Sequence, residues 1–103
     1  MRQTLNSAEA VFVSAASIWE SAIKASIGKL EVNVEELVSD IEASGFEALP
    51  VTAQHAARVA QLPAYHRDPF DRLLVAQAMH ETMRLMTSDA TLARYSELVL
   101  TID

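Results

Sequence analysis

Three acids stand where this sequence has the means for chemistry. Glu20 falls in the first turn expected of a helix after the run Val11-Phe12-Val13, and Asp71 in the first turn of a helix opened by Asp68-Pro69. Asp89 comes just past the short apolar run Leu85-Met86-Thr87. If both runs are parallel strands of one sheet, the three carboxylates reach the same edge, which is where open α/β sheets bind ligands. Converging carboxylates repel, and hard divalent cations such as Mg²⁺ or Mn²⁺ are the usual means of holding them together. A site of that kind can deprotonate water and stabilise charge developing on a phosphodiester. Each acid also has a purely structural reading. Ser17-Ile18-Trp19-Glu20 fits a capping box, Asp71 complements the positive end of its helix, and Asp89 can cap the short helix behind it. The coincidence of the three at one predicted edge favours a site.

The elements that must position these acids are read from capping signals and periodicity. Asp68 caps a helix whose first position suits Pro69, and Phe70, Leu73, Leu74, Val75, Ala76, Ala78 and Met79 make it apolar nearly all round, so it is expected to be buried. Arg2 to Asn6 reads as the last turn of a helix. Val11-Phe12-Val13 is a strand, and Ser14 to Ser17 turns it into a helix beginning near Ile18, with Trp19, Ile23 and Ile27 at helical spacing and a stop near Gly28. Asn33-Val34-Glu35-Glu36 opens a helix over Leu37, Val38 and Ile41 that ends at Gly45. Phe46 to Val51 is a strand, placed at a sheet edge because Pro50 lacks a ladder donor. Thr52 caps an Ala-rich helix running to Gln61 and broken by Pro63. A short helix over Thr91 to Tyr95 and a last strand over Leu98 to Ile102 follow. Strands alternating with helices predict an α/β fold with a mainly parallel sheet covered on both faces.

Composition narrows the partners. With 103 residues, half of them hydrophobic, the chain makes one small domain. Its 8 Lys and Arg against 14 Asp and Glu give a net charge of −6, which opposes simple electrostatic attraction to nucleic acid phosphates. Any nucleic-acid role therefore calls for bound cations or a local basic patch. There is no cysteine, so disulfides and thiolate metal sites are excluded. No apolar run is long enough to span a bilayer and no signal-peptide pattern opens the chain, which predicts a soluble cytoplasmic protein. His55 is expected on an exposed helix, His80 near a helix C-terminus and His66 in a loop, with no pair at metal-ligand spacing. Met79, Met83, Met86 and Trp19 read as core, and Lys24 and Lys29 as solvated surface.

At these residues the sequence resembles a known family. Val11 to Glu20, Ile23-Lys24, Gly28-Lys29-Leu30, Asp68-Pro69-Phe70-Asp71-Arg72-Leu73-Leu74 and Thr87-Ser88-Asp89 look like the PIN domain as found in VapC-type toxins, in the right order and over nearly the whole chain. The resemblance implies a three-layer α/β/α sandwich and a Mg²⁺- or Mn²⁺-dependent endoribonuclease, usually inhibited by a small cognate antitoxin protein. It assigns the family's second, third and fourth acids to Glu20, Asp71 and Asp89.

One feature departs from that pattern. The family opens with an apolar strand ending in an acid, typically Leu-Asp-Thr, and nothing before Val11 matches it. The resemblance therefore implies an N-terminally truncated domain without the first acid and without the central strand, with RNA cleavage impaired. The Val11 and Leu85 strands would flank a gap, to be closed by direct pairing or by a second chain, and a homodimer is the favoured outcome. The alternative to the ribonuclease is a non-catalytic PIN fragment acting as a protein-binding or self-associating module.

Overall fold

The computed structural model describes residues 3–5, 11–87 and 89–101. Its first element corrects the N-terminal expectation. Gln3–Leu5 is a strand, β1, not the last turn of a helix. β2 (Val11–Ser14) passes into α1 (Ala15–Ser26) without a loop, because Ser14 both ends the strand and caps the helix, its Oγ accepting the Ala16 N–H at 3.0 Å. The expected start near Ile18 is therefore late, the Ser17–Glu20 capping box does not form, and Glu20 lies in the second turn of α1. Gly28, at φ 77°, closes the helix as the sequence predicts, with the Lys29 N–H reaching back to the Lys24 carbonyl at 2.9 Å.

The following elements keep close to their local signals. Asn33 caps α2 (Val34–Ala43) through the Glu36 N–H at 3.1 Å, and Gly45 follows its end at φ 83°. β3 (Glu47–Leu49) stops just before Pro50, and Thr52 caps α3 (Ala53–Val59). Asp68 caps α4 (Pro69–Glu81), its Oδ1 accepting the Phe70 N–H at 2.8 Å and the Asp71 N–H at 3.3 Å. β4 (Arg84–Thr87), a 3-10 helix (Ala90–Arg94) and β5 (Val99–Thr101) complete the described chain. The part of the last predicted strand at Ile102 lies outside the described residues.

The sheet runs β3-β2-β1-β4-β5. β2 is parallel to β3 and β4 to β5, whereas β1 is antiparallel to both neighbours, with Thr4 opposite Phe12 on one side and Leu85 on the other. The expected gap between β2 and β4 is thus neither open nor closed by their direct pairing. Residues 3–5 occupy it. A row of buried N–H and C=O groups without partners costs about 1–3 kcal/mol per group, which drives any nearby segment into the slot. The connection from β1 to β2, residues 6–10, is shorter than the dozen or so residues of a parallel crossover, so the segment enters antiparallel. α1 and α2 connect β2 to β3, and α3 and α4 connect β3 back to β4, so helices alternate with the strands as expected of an α/β fold.

The core is built on α4. Leu74, Val75, Ala76, Gln77 and Ala78 are essentially inaccessible, and the four apolar ones pack with Ala16, Leu85, Leu92 and Val99, each large apolar side chain contributing about 1.5–3 kcal/mol. Arg72, which interrupts the apolar helix, is used at its start: its Nη2 donates to the Val59 carbonyl at 3.1 Å and the Leu62 carbonyl at 3.3 Å, tying the end of α3 to α4.

Two burial expectations are corrected. α1 buries Ala16 and Ser17, while Trp19 and Ile27 are each 60% exposed. The small residues form the buried face of α1, and the large apolar stripe turns outward. His55 is buried rather than exposed, because its Nδ1 accepts the Thr52 N–H at 3.1 Å and completes the cap of α3 from inside.

Candidate metal centre

α4 delivers Asp71 to the sheet edge with little freedom. Asp68 fixes the first turn, Pro69 presets the backbone of its first residue, and the buried face that follows sets the rotation of the helix. The Asp71 side chain is 3% exposed and lies in the first turn of α4, at the positive end of the helix. Asp89 arrives from the other direction. β4 ends at Thr87, whose Oγ1 accepts the Asp89 N–H at 3.1 Å, and Asp89 caps the 3-10 helix by accepting the Thr91 N–H on Oδ1 at 2.9 Å.

Between the two acids stands His66, expected from the sequence only as a loop residue. His66 Nε2 lies 2.8 Å from Asp89 Oδ2 and 3.6 Å from Asp71 Oδ2, and one atom from each of the three side chains falls within 4.8 Å of the others. The loop that carries it is fixed at other points. The His66 N–H donates to the Tyr95 hydroxyl at 2.9 Å, and the Asp68 N–H donates to His66 Nδ1 at 3.1 Å. The available local signal was its place two residues before the Asp68 cap. Nothing local indicates the contact with Asp89, 23 positions on.

The structure therefore brings together two of the three acids expected at this edge. Glu20 is not in the 4.8 Å group; its Oε2 lies 3.7 Å from Lys24 Nζ, one turn along α1. Beside the group, Trp19 and Phe70 meet edge to face at 5.1 Å, so the residue before each of Glu20 and Asp71 is half of one aromatic contact.

The donor set fits a hard divalent cation. Asp71 and Asp89 offer carboxylate oxygens from two rigid elements, one of them largely withdrawn from solvent. The Thr91 backbone N–H foremost, and the His66 side chain after it, hold the Asp89 carboxyl below the usual carboxylate range, so this acid is ionised at neutral pH. Because the fold favours the charged form of Asp89, its contribution to stability is complete above the ordinary carboxylate pKa of about 4 and is lost as pH falls below it. Thermal melts from about pH 6 to about pH 3 are expected to show a steeper loss for the unmutated chain than for Asp89→Asn.

A second cluster, His55, His80 and Glu81, also falls within 4.8 Å, although the sequence offers no histidine pair at ligand spacing. Here the helix cap accounts for the geometry. With Nδ1 accepting the Thr52 N–H, a neutral His55 carries its proton on Nε2 and donates to Glu81 Oε1 at 3.0 Å.

No helix among the described residues is long and apolar enough to cross a membrane. No curated protein and no solved structure matches the chain. The family model described as PIN domain, however, matches residues 1–98, and α4, β4 and the acids they carry lie within that span. With nearly its whole length matched, the chain belongs to the PIN domain family, whose members are generally nucleases and typically use divalent metal ions.

Proposed function

We propose that this PIN domain is a Mg²⁺- or Mn²⁺-dependent endoribonuclease of the VapC type, hydrolysing RNA phosphodiester bonds as the toxin of a toxin–antitoxin pair. The observation that carries the reading is the meeting of Asp71 and Asp89, from α4 and the end of β4, with their carboxylates in one small volume. Asp71 and Asp89 would hold the cation, with Glu20 of α1 as the third acid of the set. A cation bound there supplies an activated water and offsets the charge developing on phosphate. The chain's own contribution is placement. The Asp68 cap and the buried face of α4 fix Asp71, and Thr91 and Thr87 fix Asp89. In a chain of net charge −6, local positive charge at this edge is also what would admit RNA.

The apolar stripe of α1 supports a protein partner. Trp19, Ile23 and Ile27 are one turn apart and all exposed, a surface suited to the apolar face of a cognate antitoxin or to a second copy of this chain. The same stripe favours the second reading, a non-catalytic PIN module that binds proteins or itself.

Incubating the purified chain with structured and single-stranded RNA tests the choice. Internal cleavage is expected with Mn²⁺ or Mg²⁺ and not with chelator. A folded chain that leaves every RNA intact with either metal would overturn the ribonuclease and leave the binding module.

A further inference from the structure

His66 groups with Asp71 and Asp89 as though it were a third ligand, yet its own hydrogen bonds argue otherwise. A nitrogen that binds a metal gives up its proton, and the ring's other nitrogen then carries one and donates it to a carbonyl, a carboxylate or water. In His66 the other nitrogen is Nδ1, and it faces a donor, the Asp68 backbone N–H at 3.1 Å. That N–H is itself held in place, since Asp68 is the cap of α4 and its own Oδ1 accepts from Phe70 and Asp71. Turning the Nδ1 proton toward it would set two donors against each other. The neutral ring therefore carries its proton on Nε2, which points to Asp89 Oδ2 at 2.8 Å and lies 3.6 Å from Asp71 Oδ2.

Resting on the metal-dependent reading above, we propose that His66 is a positioning residue of the metal centre and not one of its ligands: its Nε2–H holds the Asp89 carboxylate, on the oxygen opposite the one Thr91 holds, in the orientation that receives the cation. The two oxygens of Asp89 then have separate anchors, Thr91 N–H at 2.9 Å on Oδ1 and His66 at 2.8 Å on Oδ2. Each oxygen keeps a lone pair for a metal. The ring cannot swing away easily, because the Tyr95 hydroxyl holds the His66 backbone and Tyr95 is packed in the core. Through that chain the orientation of a catalytic acid depends on Asp68, Tyr95 and the loop between α3 and α4, none of which needs to touch substrate.

The test uses the whole chain and Mn²⁺ as probe. Nitrogen NMR of the metal-free protein in mildly alkaline buffer is expected to give the Nε2–H tautomer for His66, and pulsed EPR of the Mn²⁺ complex to show no directly bound imidazole nitrogen. His66→Ala is expected to weaken Mn²⁺ binding about tenfold or more, the range typical for the loss of a group that orients a ligand. His66→Gln, which returns an N–H near the Nε2 position, is expected to recover most of that loss. A bound imidazole nitrogen or an Nδ1–H tautomer would overturn the proposal, as would an alanine variant that binds Mn²⁺ equally or more tightly. Failure of the unmutated chain to bind Mn²⁺ while the Nε2–H tautomer is present would instead remove the metal-centre reading, leaving His66 as a donor to Asp89 with no cation to position for.

Discussion

Replacing Asp71 with asparagine is expected to lower metal-dependent RNA cleavage by at least about a hundredfold while moving the melting temperature of the metal-free chain by only a few degrees. Losing a group that merely orients a ligand lowers metal affinity or activity about 10–100-fold, so neutralising a ligand itself belongs at or beyond the upper end of that range. Stability behaves differently because the amide has the same shape and the terms acting on the charge oppose one another. The helix end favours the Asp71 carboxylate, by up to about 2 kcal/mol for a group withdrawn from solvent, whereas burial and the nearby Asp89 carboxylate act against it. Cleavage assays with Mn²⁺ beside thermal melts in chelator separate the two effects. An unchanged rate would remove Asp71 from the chemistry. Collapse of both rate and melting temperature would make it a structural acid.

The part of this site that could be read from sequence is the part made by neighbours in the chain. Asp68, Pro69 and Asp71 announce the start of α4 through a cap, a preset φ and a first-turn charge, all of which act within a few residues. His66 could not be assigned in that way, since its role comes from the distant Asp89 and Tyr95. The start of α1 differs from the local expectation for a related reason. Ser14 and Ser17 both qualify as caps on local grounds, and Ser17 has Glu20 in the capping-box position. What decides for Ser14 is a tertiary contact, its bond to Gln77, and the consequence is that Glu20 sits a turn deeper in the helix.

Periodicity had a similar limit. Trp19, Ile23 and Ile27 correctly mark a helix, but the rule that the apolar stripe faces inward fails here, where Ala16 and Ser17 form the buried face. β1 was the least legible element. Three residues carry too little pattern to name a strand, and only the slot between β2 and β4 defines them as one.

That same tertiary contact leads to the largest expected effect on stability. Gln77 is completely buried on the otherwise apolar α4, and its amide serves three elements at once. Oε1 accepts the Ser14 hydroxyl at 2.6 Å, where β2 becomes α1, and Nε2 donates to the Pro50 carbonyl at 3.2 Å, where edge strand β3 ends, with His55 Nδ1 at 3.4 Å. The orientation is unambiguous, because a flipped amide would turn its oxygen toward the Pro50 carbonyl. Gln77→Ala leaves the buried Ser14 hydroxyl without this partner, at a cost of about 1–3 kcal/mol, removes the part-buried bond to the Pro50 carbonyl, and opens a void besides. A loss of about 3 kcal/mol is a large share of the roughly 5–15 kcal/mol that holds a domain together. At this size it corresponds to a drop in melting temperature of roughly 10–20 °C. Gln77→Leu restores volume but not the amide, so its loss is expected to stay above about 2 kcal/mol. Ser14→Ala removes the other partner together with the α1 cap, the cap alone being worth about 1 kcal/mol. Denaturant melts of both single variants and the double variant then isolate the bond. Residues sharing one buried hydrogen bond are expected to couple by about 0.5–3 kcal/mol, so the double variant should lose less than the sum of the singles. Strict additivity would mean that the contact between Ser14 and Gln77 does not contribute, and that shape alone keeps Gln77 in the core.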